Sequence, residues 1–204
     1  ADANNSDDTQ WHRWDTCSLC EQDYHGVVAC ALGWACWKTY LGRPEGDGVQ
    51  LIAMTQLGNG LSMARQHQAA LSVREAELSM RRRLGLSSAH VLAAQSNIAI
   101  TYAQLGREEE ALRMRRAVYF GLSALYGEEH EDPLRAANNY AFSLRDLSRF
   151  EEARSLLRRT VPVARRVRGE SDALTLSMRS NYARALCYDP TATLGDLSEA
   201  VTTL

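Results

Sequence analysis

The residues best suited to chemistry in this 204-residue chain are crowded near its N-terminus. Cys17, Cys20, His25 and Cys30 follow the spacing Cys-x2-Cys-x4-His-x4-Cys. Three thiolates and one imidazole can close a tetrahedral shell around Zn²⁺, and a short segment too small for a core of its own gains most from such a staple. These four are therefore candidate structural zinc ligands, with Cys36 as the alternative fourth. The competing reading makes Cys30 and Cys36 buried small hydrophobes and leaves Cys17 and Cys20 an incidental pair. A redox role for the Cys17/Cys20 pair has less support, because no βαβ pattern surrounds it.

Catalytic constellations are thin elsewhere. His12, His67, His90 and His130 stand apart in sequence, without zinc-protease spacing. His130 lies in an acidic stretch from Glu128 to Asp132 that reads as a solvated loop, and Gly58-Asn59-Gly60 is a fragment of a phosphate loop with no strand before it. No enzymatic activity is expected. The 23 basic and 25 acidic residues give a net charge of −2, which argues against a dedicated nucleic-acid binder. Of the basic residues 22 are arginine and only Lys38 is lysine; carboxylate or phosphate binding would suit that choice, though a coding bias accounts for it more simply. No run approaches the roughly 18 apolar residues of a membrane span. An odd set of five cysteines without a recognisable secretory leader suits thiols in a reducing compartment, either the cytoplasm or an organelle interior.

The elements that must position these residues are helices in a repeating order. Residues 1–11 are polar and acidic and read as a disordered arm; residues 12–48 hold the Cys/His segment and an apolar helix over Val27–Leu41, with Trp34 and Trp37 as its core side chains; residues 49–204 are repetitive. Asn97, Asn139 and Asn181 recur at 42 residues, as do Gly85, Gly127 and Gly169. Two further columns join Arg65, Arg107 and Arg149, and Ala69, Ala111 and Ala153. In each unit apolar residues at three- and four-residue steps predict two helices, the second opening on a cluster such as Glu108-Glu109-Glu110 and closing at a C-cap glycine such as Gly127. Asp132-Pro133 predicts an N-cap and a proline at the first helical position, and Pro162 a kink. The first repeat reads as degenerate, with Thr55 at the asparagine position and Leu57 at the small position of Ala99. In the fourth, a lengthened turn over 188–193 moves the Glu-Ala pair to Glu199-Ala200, five residues beyond Gly195.

The run Asn97-Ile98-Ala99-Ile100-Thr101-Tyr102, followed by Leu105-Gly106-Arg107 and Glu109-Glu110-Ala111-Leu112, resembles a tetratricopeptide repeat. The 42-residue period and the Gly127-Glu128-Glu129-His130 ending are similar to the long repeats of kinesin light chain. The resemblance spans roughly residues 50–204 and implies an all-α, right-handed solenoid of helical hairpins whose first helices line a concave groove. It places Asn97, Asn139 and Asn181 where an amide grips an extended peptide backbone, donating and accepting at once. Asn138, Arg135, Phe142, Arg145 and Arg184 share that face and make a polar groove with a basic lean. The alternative is that each asparagine bridges adjacent hairpins, since a solenoid repeats packing residues as readily as binding ones. The Cys/His spacing is similar to a zinc knuckle, although here Gly26 follows the histidine instead of preceding it. The expected function is a scaffold binding a peptide or subunit, within a larger complex, and the bare end at Leu204 is expected to be truncated or covered by a partner. The alternative is an RNA-binding adaptor using the knuckle-like segment and Arg-rich helices such as Arg81-Arg82-Arg83 and Arg165-Arg166.

Overall fold

Helical periodicity, interrupted by glycines and capping side chains, divides the chain as its sequence predicts. A computed structural model describes residues 9–44 and 48–203. Residues 1–8 of the expected arm lie outside the described residues, and Thr9 to Trp11 already belong to the first helix. Among the described residues there are ten helices and no strand beyond an isolated bridge between Thr16 and Asp23. Two compact units, residues 1–105 and 106–204, each bury a core of their own.

The first unit holds α1 (Thr9–Asp15), α2 (Gly26–Tyr40), α3 (Gly48–Met63), α4 (His67–Arg83) and α5 (Ser88–Gln104). Glycines let α2 and α3 approach closely. A Cβ on Gly33 would lie 3.0 Å from the Gln56 carbonyl oxygen, and one on Gly60 would collide with the Ala29 carbonyl. Around this contact Cys30, Leu57, Leu61 and Ala70 form one buried cluster, and Cys36, Tyr40 and Ala53 a second, backed by Trp11, Trp14 and Trp37. Trp37 thus packs inward as expected, whereas Trp34, one turn earlier on α2, is exposed.

The second unit holds α6 (Glu108–Tyr126), α7 (Glu131–Asp146), α8 (Phe150–Arg168), α9 (Ala173–Cys187) and α10 (Leu194–Thr203). Each of these helices packs on the next, and α7 also touches α9, so the first helices of adjacent hairpins meet. The cap of α7 is His130 and not Asp132: its Nδ1 accepts the Asp132 N–H at 3.2 Å while its ring stacks on Tyr126. Pro133 then sits in the first turn, where an N–H has no intrahelical acceptor to lose. Asp172 caps α9 through the N–H groups of Leu174 and Thr175. Arg168 first, and then those N–H groups, hold its carboxyl below the usual carboxylate range. The resulting stabilisation is complete above that range and is lost as pH falls through the lowered value. Helix α8 continues past Pro162. In α10 the buried small residue is Ala200, as the lengthened turn predicts, and Gly195 is exposed.

The structure corrects the register of the first repeat. Arg65, Gly106 and Ser148 share a left-handed backbone, with φ of 59°, 72° and 59°, and the N-caps Gln66, Arg107 and Arg149 follow directly. The first interval is therefore 41 residues, because α4 is two residues shorter than α6 (17 against 19) while α5 is one longer than α7 (17 against 16). Ala70, not Ala69, is the fully buried partner of Ala111 and Ala153, and Arg65 does not align with Arg107. On this register Gln56 takes the asparagine position and Gly58 the small position of Ala99, so the first repeat keeps both an amide and a small residue. Adjacent alanines and recurring arginines hid the missing residue in the sequence.

Gly60→Ala is expected to cost about 1–3 kcal/mol through overpacking against α2. Gly195→Ala, on an exposed helical position, is expected to be neutral or to stabilise by about 0.5–1 kcal/mol. Urea denaturation of the two variants checks both, and equal stabilities would mean that α2 and α3 are not in close contact.

Candidate functional site

The corrected register exposes a recurring polar link between hairpins. Arg74 on α4 is 5% exposed and donates to the Asn97 carbonyl at 3.0 Å, to the Thr101 hydroxyl and to Asn59 Oδ1. Gly58 leaves room for its stem, since a Cβ there would lie 3.2 Å from Arg74 Cγ. At the matching position, Arg115 on α6 donates to the Asn139 carbonyl at 3.3 Å and to Ser143 Oγ at 2.5 Å. Burial lowers the pKa of both guanidinium groups from the ordinary value, which makes their acceptors structurally important. In the next interval the corresponding residues are Leu157 and Ala185, both fully buried. The arginine and its hydroxyl acceptor are thus replaced together by an apolar pair. Only the 41-residue offset between Arg74 and Arg115 signals this link, and the 42-residue columns concealed it.

In the second unit four of the expected binding residues come together across α7 and α9. Asn181 is 8% exposed; its Oδ1 accepts from Arg145 at 2.7 Å and its Nδ2 donates to Asn138 Oδ1 at 2.8 Å. Asn138 in turn donates to Ser177 Oγ at 3.1 Å. The Arg145 guanidinium lies 4.5 Å from the Phe142 ring centroid and also donates to Asp146, while Arg115 stands 5.8 Å from the same ring. Phe142 itself is 41% exposed. Asn181 therefore bridges two first helices, and the outer part of the face belongs to Phe142, Asn138 and the half-buried Asn139.

The remaining expected residues stand outside this network. Arg135 is exposed and ion-paired with Glu131 one turn earlier, and Arg184 is exposed on α9. Asn97 belongs to the first unit, where its carbonyl serves Arg74. Gln56, the equivalent amide on α3, donates to Asp15 Oδ2 at 2.6 Å. Ser143, Ser177, Arg115 and Gln56 are participants that sequence reading missed.

The expected zinc ligands are not assembled. Among the described residues no group of three or more His, Cys, Asp or Glu side chains is arranged to hold a metal. Cys30 and Cys36 point into the two apolar clusters of α2, and burial pushes the Cys36 thiol up to about 11. His25 is the exposed N-cap residue of α2. Cys17 and Cys20 sit apart on the hairpin closed by the Thr16–Asp23 bridge. The backbone N–H groups of Leu19 and then Cys20 donate to the Cys17 sulfur and hold its thiol below the ordinary range. The helical period of α2, which carries Cys30 inward, overrides the linear spacing.

Residues 91–132 and 134–172 match the tetratricopeptide repeat family. No curated protein matches the chain in sequence. Among solved structures it is similar to a Podosopora anserina protein of kinesin light chain type with nearly identical TPR-like repeats, with a TM-score of 0.73, 18% identity, and coverage of 86% of this chain and 83% of that one. A single-substitution variant of that protein gives a TM-score of 0.72 and 20% identity, covering 86% and 81% of the two chains. BtubC (BKLC) from P. vanneervenii gives a TM-score of 0.65 and 19% identity, with 86% and 80% covered. At such identities the likeness is one of fold: an all-α solenoid of tetratricopeptide-type helical hairpins.

Arg115→Leu alone is expected to cost about 1–3 kcal/mol by leaving buried acceptors unpaired. Adding Ser143→Ala should recover part of it, giving a coupling of about 0.5 kcal/mol or more in a double-mutant cycle. Additive losses would show that the two do not act as a pair. Alkylation of the native protein should label Cys17, Cys20 and Cys187, with Cys30 and Cys36 reacting only after unfolding. Native labelling of Cys36 would show that α2 is not packed as described.

Proposed function

We propose that the chain is a protein-interaction scaffold and that the α7/α9 face takes an extended segment of another protein. One observation carries this reading. Phe142 remains exposed although Arg145 and Arg115 flank it, and the amides of Asn138 and Asn139 lie beside it. An aromatic surface ringed by guanidinium and amide groups offers apolar contact, cationic attraction and backbone hydrogen bonds together. A segment with acidic side chains near an apolar anchor complements it. The tetratricopeptide matches and the solved structures of similar fold support a binding role for the repeats.

The RNA-binding alternative finds no support. It relied on a zinc knuckle whose ligands are not brought together among the described residues, and on arginines of which those closing α8 are engaged with carboxylates. Arg165 pairs with Glu170, Arg166 with Glu129 at 2.5 Å, and Arg168 with Glu131 and Asp172. At the other end of the second unit, α10 exposes Leu194, Leu197 and Val201, which suits a chain that is one part of a larger assembly.

Selection against a displayed random-peptide library, followed by polarisation titration of an enriched peptide, tests the proposal. Asn139→Ala is expected to weaken binding by about 0.5–1.5 kcal/mol with little change in stability. Phe142→Ala should cost about 2 kcal/mol or more if the ring is the anchor. Enriched peptides that bind both variants as tightly as the wild type would move the binding site elsewhere.

A further inference from the structure

We propose that a cavity in the first unit binds a free basic α-amino acid, of the lysine and arginine class. The cavity has a volume of about 480 Å³ and lies among α1, the hairpin that follows it, α3 and Arg74 of α4. That size falls within the range of about 300–1,000 Å³ usual for small-molecule sites. Two amides one turn apart on α3 hold opposite charges on its wall. Gln56 Nε2 donates to Asp15 Oδ2 at 2.6 Å, and Asn59 Oδ1 accepts from Arg74 at 3.1 Å. The hairpin sets Asp23 beside Asp15, because Tyr24 N–H donates to the Asp15 carbonyl at 2.7 Å next to the bridge between Thr16 and Asp23.

Each of the two held charges is bonded to neutral groups and not to the other. Arg74, 5% exposed, donates to the Asn97 carbonyl, the Thr101 hydroxyl and Asn59, while Glu77, three residues on, is committed to Arg81 and Thr55. A guanidinium carries five N–H donors, so two stay available to a ligand carboxylate. Loss of water pushes the Asp15 carboxyl above its ordinary range, against the Gln56 hydrogen bond, and an ammonium partner would relieve that cost. Trp14 Nε1 and Ser62 Oγ, on residues of the same wall, are buried without a hydrogen-bond partner among the described residues and add donors. The charge count selects the ligand. Asp15 and Asp23 against Arg74 leave one negative charge on the wall when His12 is neutral. A basic α-amino acid carries two cations and one carboxylate, the complementary set. Its carboxylate pairs with Arg74, its α-ammonium with Asp15 and its side-chain cation with Asp23, and its methylene stem lies along Ala29 and Met63.

Isothermal titration of the full chain with L-arginine, L-lysine, agmatine and L-norleucine tests the site. L-arginine or L-lysine should bind at one molecule per chain. Agmatine, which is arginine without the carboxylate, and norleucine, which is lysine without the side-chain cation, should each bind about tenfold or more weakly than the parent amino acid. Asp15→Asn keeps an acceptor for Gln56 and should weaken binding by a similar factor while helical circular dichroism is unchanged. Asn59→Asp gives Arg74 a carboxylate of its own, so it should abolish the preference for arginine over agmatine and leave the fold intact. If neither basic amino acid binds at millimolar concentration, the site is overturned. Agmatine binding as tightly as arginine to the wild type would mean a simple cation site with no part for Arg74, and unchanged binding in both variants would place the amino acid elsewhere. Either result rejects the proposal.

Discussion

Each hairpin here leaves its own first helix half covered, and the side chain reaching from the second helix of one hairpin to the first helix of the next completes it. Arg74 and Arg115 do this with a buried guanidinium that needs a carbonyl and a hydroxyl on the far side. Leu157 does it with apolar contact alone, and there the hydroxyl position is Ala185. The two solutions are mutually exclusive, because a buried guanidinium facing an alanine would lack an acceptor and a buried serine facing leucine would lack a donor. This dependence fixes the orientation of the first helices, and with it the face on which Asn138, Asn139 and Phe142 appear.

The N-terminal segment obeys a different constraint. Gly33 and Gly60 let α2 lie against α3 at backbone contact, and that closeness commits one side of α2 to the core. Cys30 and Cys36 fall on that side, so their chemistry is that of small hydrophobes. Cys17 and Cys20 precede the helix and belong instead to the hairpin held by the Cys17 N–H to Gln22 and Glu21 N–H to Cys17 backbone bonds, outside that core. One cysteine-rich stretch thus contains two physically separate kinds of thiol.

On the α7/α9 face packing and recognition use the same residue types at different depths. Asn181 spends both ends of its amide inside the protein, on Arg145 and Asn138, and so resembles the bridging alternative more than the gripping one. Asn139, in the same column, lies outside that network. A repeated position therefore need not have a repeated role. The depth of each residue depends on which neighbours its own interval supplies.

Local periodicity was enough to determine the all-helical character, the hairpin boundaries near Gly106, Gly127 and Gly169, the lengthened turn before α10 and the inward course of Trp37. These follow from side-chain spacing and backbone preferences that act within a few residues. The face shared by Asn138, Phe142, Arg145 and Asn181 was also readable, because a helical period puts residues three, four and seven apart on one side. What the tertiary structure decided were the matters of depth and partner: the 41-residue register of the first hairpin, the pairing of Arg115 with Ser143, the cap at His130, and the separation of Cys30 and Cys36 from Cys17 and Cys20. Each depends on which surfaces meet when helices stack, and such contacts join residues whose distance along the chain carries no trace of their distance in space.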